Sequence, residues 1–178
     1  DGAACERVLV VGLGKKDGFG RKQYRKALVS ALGAIAKTGA DAVKFQTHYA
    51  CYESSSLEEW RVKFSEQDNT RFDYWKRMEF TAEQWRGLKR HAEMRGLMFL
   101  SSPFSVEAAI MLNAIGMRAF KVASGEVNNP LLLEAIRKTG KPVILSSGMS
   151  NTEELDNAVG LFSDVAILQC TSKYPVQP

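Results

Sequence analysis

Cysteine and histidine are scarce in this sequence: its 178 residues include three cysteines and two histidines. The odd cysteine count and the absence of a Cys-x-x-Cys pair argue against a disulfide scaffold and a zinc ribbon, and favour a reducing compartment. His48 and His91 lie far apart in the chain and form no His-Glu-x-x-His or His-x-His pattern. We therefore expect no metal site built from this chain alone.

Long apolar runs and a strong charge of one sign are also missing. No run of about 18 apolar residues is present, so we expect no membrane span. The first residues have no signal-peptide core, which predicts a cytoplasmic protein, or one of an organelle matrix if the N-terminus was processed. The net charge is only +4 and no nucleic-acid-binding motif accompanies it, so we expect no nucleic-acid partner. With 45% hydrophobic and 25% charged residues, the composition is that of an ordinary globular domain.

What the sequence does contain is a series of short apolar, β-branched runs. They are Val8–Leu13, Ala42–Phe45, Leu97–Leu100, Ala119–Val122, Val143–Leu145 and Val165–Leu168. Apolar and polar residues do not alternate in them, which predicts strands that are covered on both faces, as in a parallel sheet. Helical patterns lie between them, such as the apolar stripe from Tyr24 to Ile35. The repeated order of strand and helix predicts a parallel barrel or a doubly wound sheet.

Capping signals mark the ends of the predicted helices. Thr81–Gln84 and Ser150–Glu153 have the form of capping boxes, and Asn129 precedes a proline that suits the first position of a helix. Four glycines fall between a helical pattern and the next strand, where a left-handed residue is favoured: Gly39, Gly96, Gly116 and Gly140.

Hydroxyl, amide and ammonium groups follow five consecutive predicted strands, and the ends of parallel strands meet at one rim. Lys44 and Lys121 lie inside apolar strands, where lysine is normally excluded. If both point inward, they form a cationic well that suits a phosphate or carboxylate; the alternative is that each reaches outward to solvent. Glu126, at the end of the fourth predicted strand, could act as a general base or bind hydroxyls. Its alternative is an acid at a helix N-terminus.

Residues 47–80 interrupt the rhythm of strands and helices and are rich in aromatic side chains. A long segment after a strand lies on the face where barrel active sites form. Two interpretations remain open, namely a lid or substrate wall, and a packing excursion with a short extra helix.

Five ordered blocks resemble the sialic acid synthases (N-acetylneuraminate synthases). They are Gly39–Thr47, Ser101–Phe104, Phe120–Glu126, Lys141–Met149 and Gln169–Pro175. The resemblance implies an α/β fold, a (β/α)8 TIM barrel of which residues 1–178 are a partial domain with about the first six βα units. Residues 1–38 would be a divergent first unit, and 47–80 the long loop after the second strand.

The resemblance also implies an activity, the condensation of phosphoenolpyruvate with N-acetylmannosamine, or its 6-phosphate, to a nine-carbon sialic acid and phosphate. Carried over by position, the phosphate and carboxylate of phosphoenolpyruvate would be held by Lys44, Ser102, Lys121, Ser124 and Ser146. The sugar and the reaction centre would be lined by Gln46, Glu126, Ser172 and Tyr174. Lys44, Lys121 and Glu126 are the catalytic candidates.

A divalent metal, Mn or Mg, is implied for the full-length family, together with a homodimer or partner chains that cover the open barrel edge. Three departures qualify this. Gly12 stands where the family has a glutamate, the family's metal-binding histidines lie on strands beyond Pro178, and its C-terminal domain is absent. We therefore expect no metal bound by this chain alone. Two alternatives stay open: a non-catalytic, degenerate barrel that serves as a structural subunit of a larger assembly, and a phosphoenolpyruvate-condensing barrel that makes another keto-sugar acid.

Overall fold

A computed structural model describes residues 21–60, 63 and 65–171. Its parallel sheet is formed by β1 (Ala42–Thr47), β2 (Met98–Pro103), β3 (Phe120–Val122), β4 (Val143–Ser146) and β5 (Val165–Leu168). The helices are α1 (Arg21–Lys37), α2 (Ala50–Glu53), α3 (Arg71–Met78), α4 (Ala82–Glu93), α5 (Val106–Ala114), α6 (Pro130–Arg137) and α7 (Thr152–Val159). Five of the six predicted strands are thus confirmed. The sixth, Val8–Leu13, lies outside the described residues, as do Ser172 and Tyr174.

The strand order decides between the two architectures that the sequence left open. The strands lie side by side in chain order, β1-β2-β3-β4-β5, and every neighbouring pair is parallel. A doubly wound sheet reverses its strand order at a switch point, whereas a barrel adds each strand beside the last. The described residues therefore form consecutive βα units of a (β/α)8 barrel.

The hydrophobic core lies between one face of this sheet and the helices. Phe99 of β2 and Phe120 of β3 are buried there. Phe45 of β1 stacks on Phe99 with ring centroids 5.5 Å apart, and both rings meet Trp85 of α4 at 6.2 Å. Because side chains alternate between the two faces of a strand, the residues next to these point to the opposite face, into the barrel. This alternation determines which polar residues can form a site.

The capping predictions hold for α4 and α6, and the one for α7 is wrong by one residue. Thr81 and Gln84 form the capping box of α4, and Asn129 caps α6 ahead of Pro130. At α7 the cap is Asn151, with Glu154 as its partner, and not Ser150 with Glu153. The backbone N–H of Ser150 donates to the Ser147 carbonyl in the preceding turn, which leaves asparagine, an equally good cap, to begin the helix.

The four glycines predicted to end helices in a left-handed conformation all do so, with φ between 64° and 80° for Gly39, Gly96, Gly116 and Gly140. A residue with a Cβ atom is strained at such angles. These turns lead the chain from a helix into the next connection or strand at the amino-terminal end of the barrel.

The described residues between 48 and 79, which we call the excursion, include helices and are not an irregular loop throughout. They contain α2 and α3, which contact each other. Asp68 accepts hydrogen bonds from Ser65 and from the Arg77 guanidinium, whose two nitrogens lie 2.9 and 2.7 Å from the carboxylate oxygens. This pairing holds the pKa of Asp68 well below its usual range, at about 2. The helical part of the second interpretation is therefore correct, and the role as a lid or wall stays a prediction.

In the part of the chain that the structure describes, the helices are too short or too polar to traverse a bilayer.

Candidate functional site

The face of the sheet that points into the barrel carries most of the predicted site residues. Strand register places Gln46 of β1 beside Ser102 of β2, and Lys44 one step earlier beside Leu100. Lys121 of β3 is level with Ile144 of β4. Since Phe45, Phe99 and Phe120 occupy the helix-facing positions, Lys44, Gln46, Ser102, Lys121 and Ser146 share the opposite face.

Lys121 is anchored in this face by two hydrogen bonds. Its Nζ donates to the Ser146 hydroxyl on the neighbouring strand and, at 2.7 Å, to the carbonyl of Val122. The Sγ atom of Cys170, just after β5, lies 3.2 Å from the same Ser146 Oγ. Cys170 is a member of the site that sequence reasoning missed, although it lies within the block at 169–175.

Lys44 and Lys121 lie on the same face of the sheet, two strands apart. Burial lowers the pKa of Lys121, Cys170 raises it, and the positive charge of Lys44 lowers it. The Lys44 charge therefore acts on the Lys121 ammonium from across the barrel face. Lys44 is exposed as a whole residue, yet the protein around its ammonium removes enough water to lower its pKa as well. Among the residues that the structure describes, neither ammonium forms an ion pair with a carboxylate.

Glu126 occupies a short 3₁₀ turn, Ser124–Glu126, directly after β3. Its carboxylate accepts a hydrogen bond from Asn129 Nδ2 at 2.9 Å. Burial raises the pKa of Glu126, while the Asn129 amide lowers it; the charge of Glu53 raises it and that of His48 lowers it. Glu126 therefore lies in a partly dry environment within electrostatic reach of the excursion.

Ser124 links the ends of β3 and β4, since its hydroxyl accepts a hydrogen bond from the Gly148 N–H at 3.3 Å. The same turn thus carries both Ser124 and Glu126 at the rim. The structure describes seven of the nine predicted site residues and brings them to one side of the sheet or to its carboxyl-terminal rim. Their assigned roles stay predictions, and Ser172 and Tyr174 fall outside the described residues.

His48 is a second residue at this rim that sequence reasoning missed, since it was considered only as a metal ligand. It follows β1 directly, and its ring stacks between Trp75 of α3 and Phe104, with centroids 4.1 Å from each. Its Nδ1 atom lies 2.6 Å from Glu53 Oε2, and the other oxygen of Glu53 accepts the Tyr49 N–H at 2.7 Å. The contacts of His48 with Trp75 and Phe104 join residues far apart in the sequence, so no local pattern predicts them.

The residues that the structure describes contain no group of three or more histidine, cysteine, aspartate or glutamate side chains that could hold a metal ion. These described residues therefore provide no set of ligands for the Mn or Mg ion that the resemblance implies.

Comparison with known proteins agrees with the strand order and with the polar face. The family model described as the NeuB family matches residues 31–178. This chain belongs to the NeuB family. Its N,N'-diacetyllegionaminic acid synthase relative from Campylobacter jejuni is 32% identical over 150 residues, covering 79% of this chain and 45% of the relative. Human N-acetylneuraminate-9-phosphate synthase is also 32% identical, over 146 residues, covering 79% of this chain and 41% of the human protein.

A solved NeuB-like structure shows the same fold. The N-acetylneuraminic acid synthetase of Leptospira borgpetersenii, crystallised with citrate, superposes with a TM-score of 0.69 at 30% identity, covering 84% of this chain and 50% of that one. The chain spans about half or less of the length of these relatives. The resemblance to the sialic acid synthases is thus confirmed, and the chain belongs to a family of sugar-acid synthases of carbohydrate biosynthesis.

A second family model, the N-terminal domain of the cytosol aminopeptidase family, matches residues 1–57. It overlaps the NeuB match from residue 31 to residue 57. Within this overlap β1 pairs in parallel with β2 along its whole length, as the barrel requires. The interpretation of residues 1–38 as a divergent first βα unit stays a prediction.

Proposed function

We propose that this chain supplies the anion-binding part of a synthase site that condenses phosphoenolpyruvate with N-acetylmannosamine, or its 6-phosphate, to a sialic acid and phosphate. The observation that carries this proposal is the pair Lys44 and Lys121, which lie on the barrel face of the sheet without a carboxylate partner among the described residues. Two unpaired cations in a partly desolvated site favour a ligand with several negative charges. Phosphoenolpyruvate, with a phosphate and a carboxylate, is such a ligand.

The residues suit the charge changes of this reaction. Carbon 3 of phosphoenolpyruvate attacks the sugar aldehyde to form a carbon–carbon bond. Water then adds at carbon 2, and phosphate leaves with the electron pair of its bond to that carbon, so that one proton of the water ends on the former aldehyde oxygen and the other on the phosphate. Lys44 and Lys121 would hold the phosphate and carboxylate throughout, assisted by the hydroxyls of Ser102, Ser124 and Ser146. Holding both reactants in line removes much of the entropic cost of a bimolecular step.

Gln46 and Glu126 would bind the sugar, with Ser172 and Tyr174 as further members of the same side. The Glu126 carboxyl suits hydrogen bonds from sugar hydroxyls because it lies in the turn directly after β3 and is partly desolvated. A metal ion, when bound, would polarise the aldehyde. Its ligands would have to come from residues outside the described ranges or from a partner chain, and no step here is assigned to it.

The relatives are named for different products, so they do not fix which sugar is the second substrate. One of them is named as a synthase of N,N'-diacetyllegionaminic acid and another as a synthase of N-acetylneuraminate 9-phosphate. Both products derive from N-acylated amino sugars, so that class is the proposed second substrate. Competition between N-acetylmannosamine, its 6-phosphate and a diacetamido sugar would identify the preferred one.

The last described strand, β5, carries exposed apolar side chains. Ile167 and Leu168 of β5 are 52% and 45% exposed, although central barrel strands are buried. We propose that further strands of the barrel cover these side chains. We also propose that the protein acts as a cytoplasmic homodimer or together with partner chains. A monodisperse monomer in light scattering would contradict the dimer. The same exposed side chains keep the structural-subunit alternative open, and the activity assay below decides it.

The experiment that tests the proposed function is phosphate release by the purified protein, with every residue that its gene encodes, from phosphoenolpyruvate, N-acetylmannosamine and Mn²⁺. Lys121→Met should lower the rate by about 100-fold or more, because a charge partner in a desolvated site is lost. Lys138→Met, which changes a lysine with a 69% exposed side chain, should leave the rate unchanged. Absence of phosphate release by the unmodified protein, or full activity of Lys121→Met, would refute the proposal.

A further inference from the structure

His48 and Glu53 form a pair that the anion-binding role of the site does not use. The Nδ1 atom of His48 is 2.6 Å from Glu53 Oε2, and the side chains of both residues are largely buried. Since Glu53 also accepts the Tyr49 N–H at 2.7 Å, its carboxylate is fixed on two sides. A carboxylate acceptor at Nδ1 favours the imidazole form whose Nδ1 carries the proton.

The other ring nitrogen of His48 is left accessible. Among the described residues, Nε2 of His48 has no hydrogen-bond partner. The fully buried side-chain atoms without a partner in this part of the chain are Trp85 Nε1 and His91 Nε2, so Nε2 of His48 is not fully buried. The faces of the ring are covered by Trp75 and Phe104 at 4.1 Å. The ring is therefore held in one plane, with one nitrogen bound and the other open to a ligand.

The location of the pair relates it to the candidate site. His48 follows β1, Phe104 follows β2 and Glu126 follows β3, so the three lie on neighbouring strand ends at one rim. The charges of both His48 and Glu53 act on Glu126. The other titratable groups around the pair are Tyr49 and Glu79, whose carboxylate accepts the Ala50 N–H at 2.6 Å.

We propose that His48 and Glu53 form a proton-transfer dyad of the synthase site, in which Nε2 of His48 contacts the reacting groups and Glu53 is the positioning residue that orients it. This inference rests on the proposed function. An imidazole whose second nitrogen is held by a carboxylate is the arrangement that activates a nucleophile in many unrelated enzymes.

The condensation contains a proton transfer that such a dyad can perform. Attack of carbon 3 on the aldehyde turns the carbonyl oxygen into an alkoxide. The water that adds at carbon 2 must lose a proton as its oxygen forms the new bond. His48 Nε2 takes this proton, with the imidazolium stabilised by Glu53, and then gives it to the alkoxide oxygen. His48 returns to its initial state, and no proton is gained or lost.

The first test measures the ring itself and does not depend on turnover. Nitrogen NMR of the purified protein should show that the neutral ring of His48 carries its proton on Nδ1 and not on Nε2. Addition of N-acetylmannosamine and phosphoenolpyruvate should shift the Nε2 signal of His48 and leave that of His91 unchanged. The opposite tautomer, or an Nε2 signal that ignores both substrates, would overturn the dyad even if the protein is an active synthase.

The second test is kinetic, with the chain's other histidine as the matched control. His48→Gln should lower kcat by about 100-fold or more, as expected for the loss of a general acid–base group, while the affinity for phosphoenolpyruvate is kept. Glu53→Gln should lower kcat and raise the share of the His48 tautomer that carries its proton on Nε2. His91→Gln should alter neither. Preserved thermal unfolding of the variants excludes misfolding as the cause.

The outcomes separate the two proposals. If the unmodified protein releases phosphate and His48→Gln retains its kcat, the dyad is refuted and the synthase function stands. If the unmodified protein releases no phosphate while the His48 Nε2 signal responds to the substrates, the proposed function fails and His48 remains a ligand-contacting residue.

Discussion

The Lys121 ammonium donates a hydrogen bond to the Ser146 hydroxyl across the junction of β3 and β4. This bond fixes the end of a long side chain that would otherwise sample many rotamers. The cation is thus held toward the barrel interior before any ligand arrives, which lowers the entropic cost of binding an anion.

Removal of the Lys44 charge should make Lys121 more basic. Because the positive charge of Lys44 lowers the pKa of Lys121, Lys44→Met should raise that pKa and move the pH at which acetic anhydride begins to modify Lys121 to a higher value. Mass spectrometry of the acetylated peptides across a pH series gives the midpoint, with the Lys138 peptide as the internal standard. An equal midpoint for Lys121 in the unmodified protein and in Lys44→Met would show that the two ammonium groups do not interact.

Two glycines form a matched pair for testing backbone strain. Gly116 has a φ of 79°, whereas Gly87 lies within α4, and an added Cβ meets nothing within 4 Å at either position. Gly116→Ala should lower the free energy of unfolding by about 1–2 kcal/mol through left-handed strain. Gly87→Ala should raise it by about 0.5–1 kcal/mol through helix propensity. Urea unfolding measures both, and equal effects of the two substitutions would contradict the backbone assignment.

His91 should make the protein less stable in mild acid. Burial lowers the pKa of His91, and the charges of Arg95 and Arg25 lower it further, so the folded state favours the neutral ring. The unfolded state therefore binds more protons as the pH falls below about 6.5, and the free energy of unfolding decreases until the lower folded pKa is passed.

His91→Gln should remove this contribution and flatten the profile. Urea unfolding at pH 7 and pH 5.5 gives the comparison, and the difference between the two proteins isolates His91 from the other titrating groups. A variant that loses as much stability as the unmodified protein over this interval would show that His91 is not the cause.

The strand pattern was predictable because continuous apolar runs need cover on both faces, but the carboxyl-terminal extent of β2 was not. Its prediction ended at Leu100, whereas the strand continues to Pro103. Ser101 is buried there. Its hydroxyl is satisfied by a hydrogen bond of 2.8 Å with the Thr47 hydroxyl on β1. A polar residue satisfied across strands has the same local signature as one in a loop.

Some residues of the candidate site could likewise be predicted from the sequence, and others could not. Lys44 and Lys121 could be singled out because lysine is unusual within an apolar strand, although the sequence left open whether each points inward or outward. The contacts of His48 could not be predicted, because Glu53 comes from α2, Trp75 from α3 and Phe104 from the turn after β2. The proximity of Cys170 to Ser146 likewise depends on how β4 and β5 are registered.

The most direct test of the central claim, that Lys44 and Lys121 bind one anion together, is calorimetric titration with phosphoenolpyruvate. The unmodified protein, Lys44→Met, Lys121→Met and the double variant form a double-mutant cycle, with Lys138→Met as the charge control. We expect each single substitution to weaken binding by about 10-fold or more, with a coupling energy of about 0.5–3 kcal/mol between them. Unchanged affinity in both single variants, or effects that add with no coupling, would contradict the shared site.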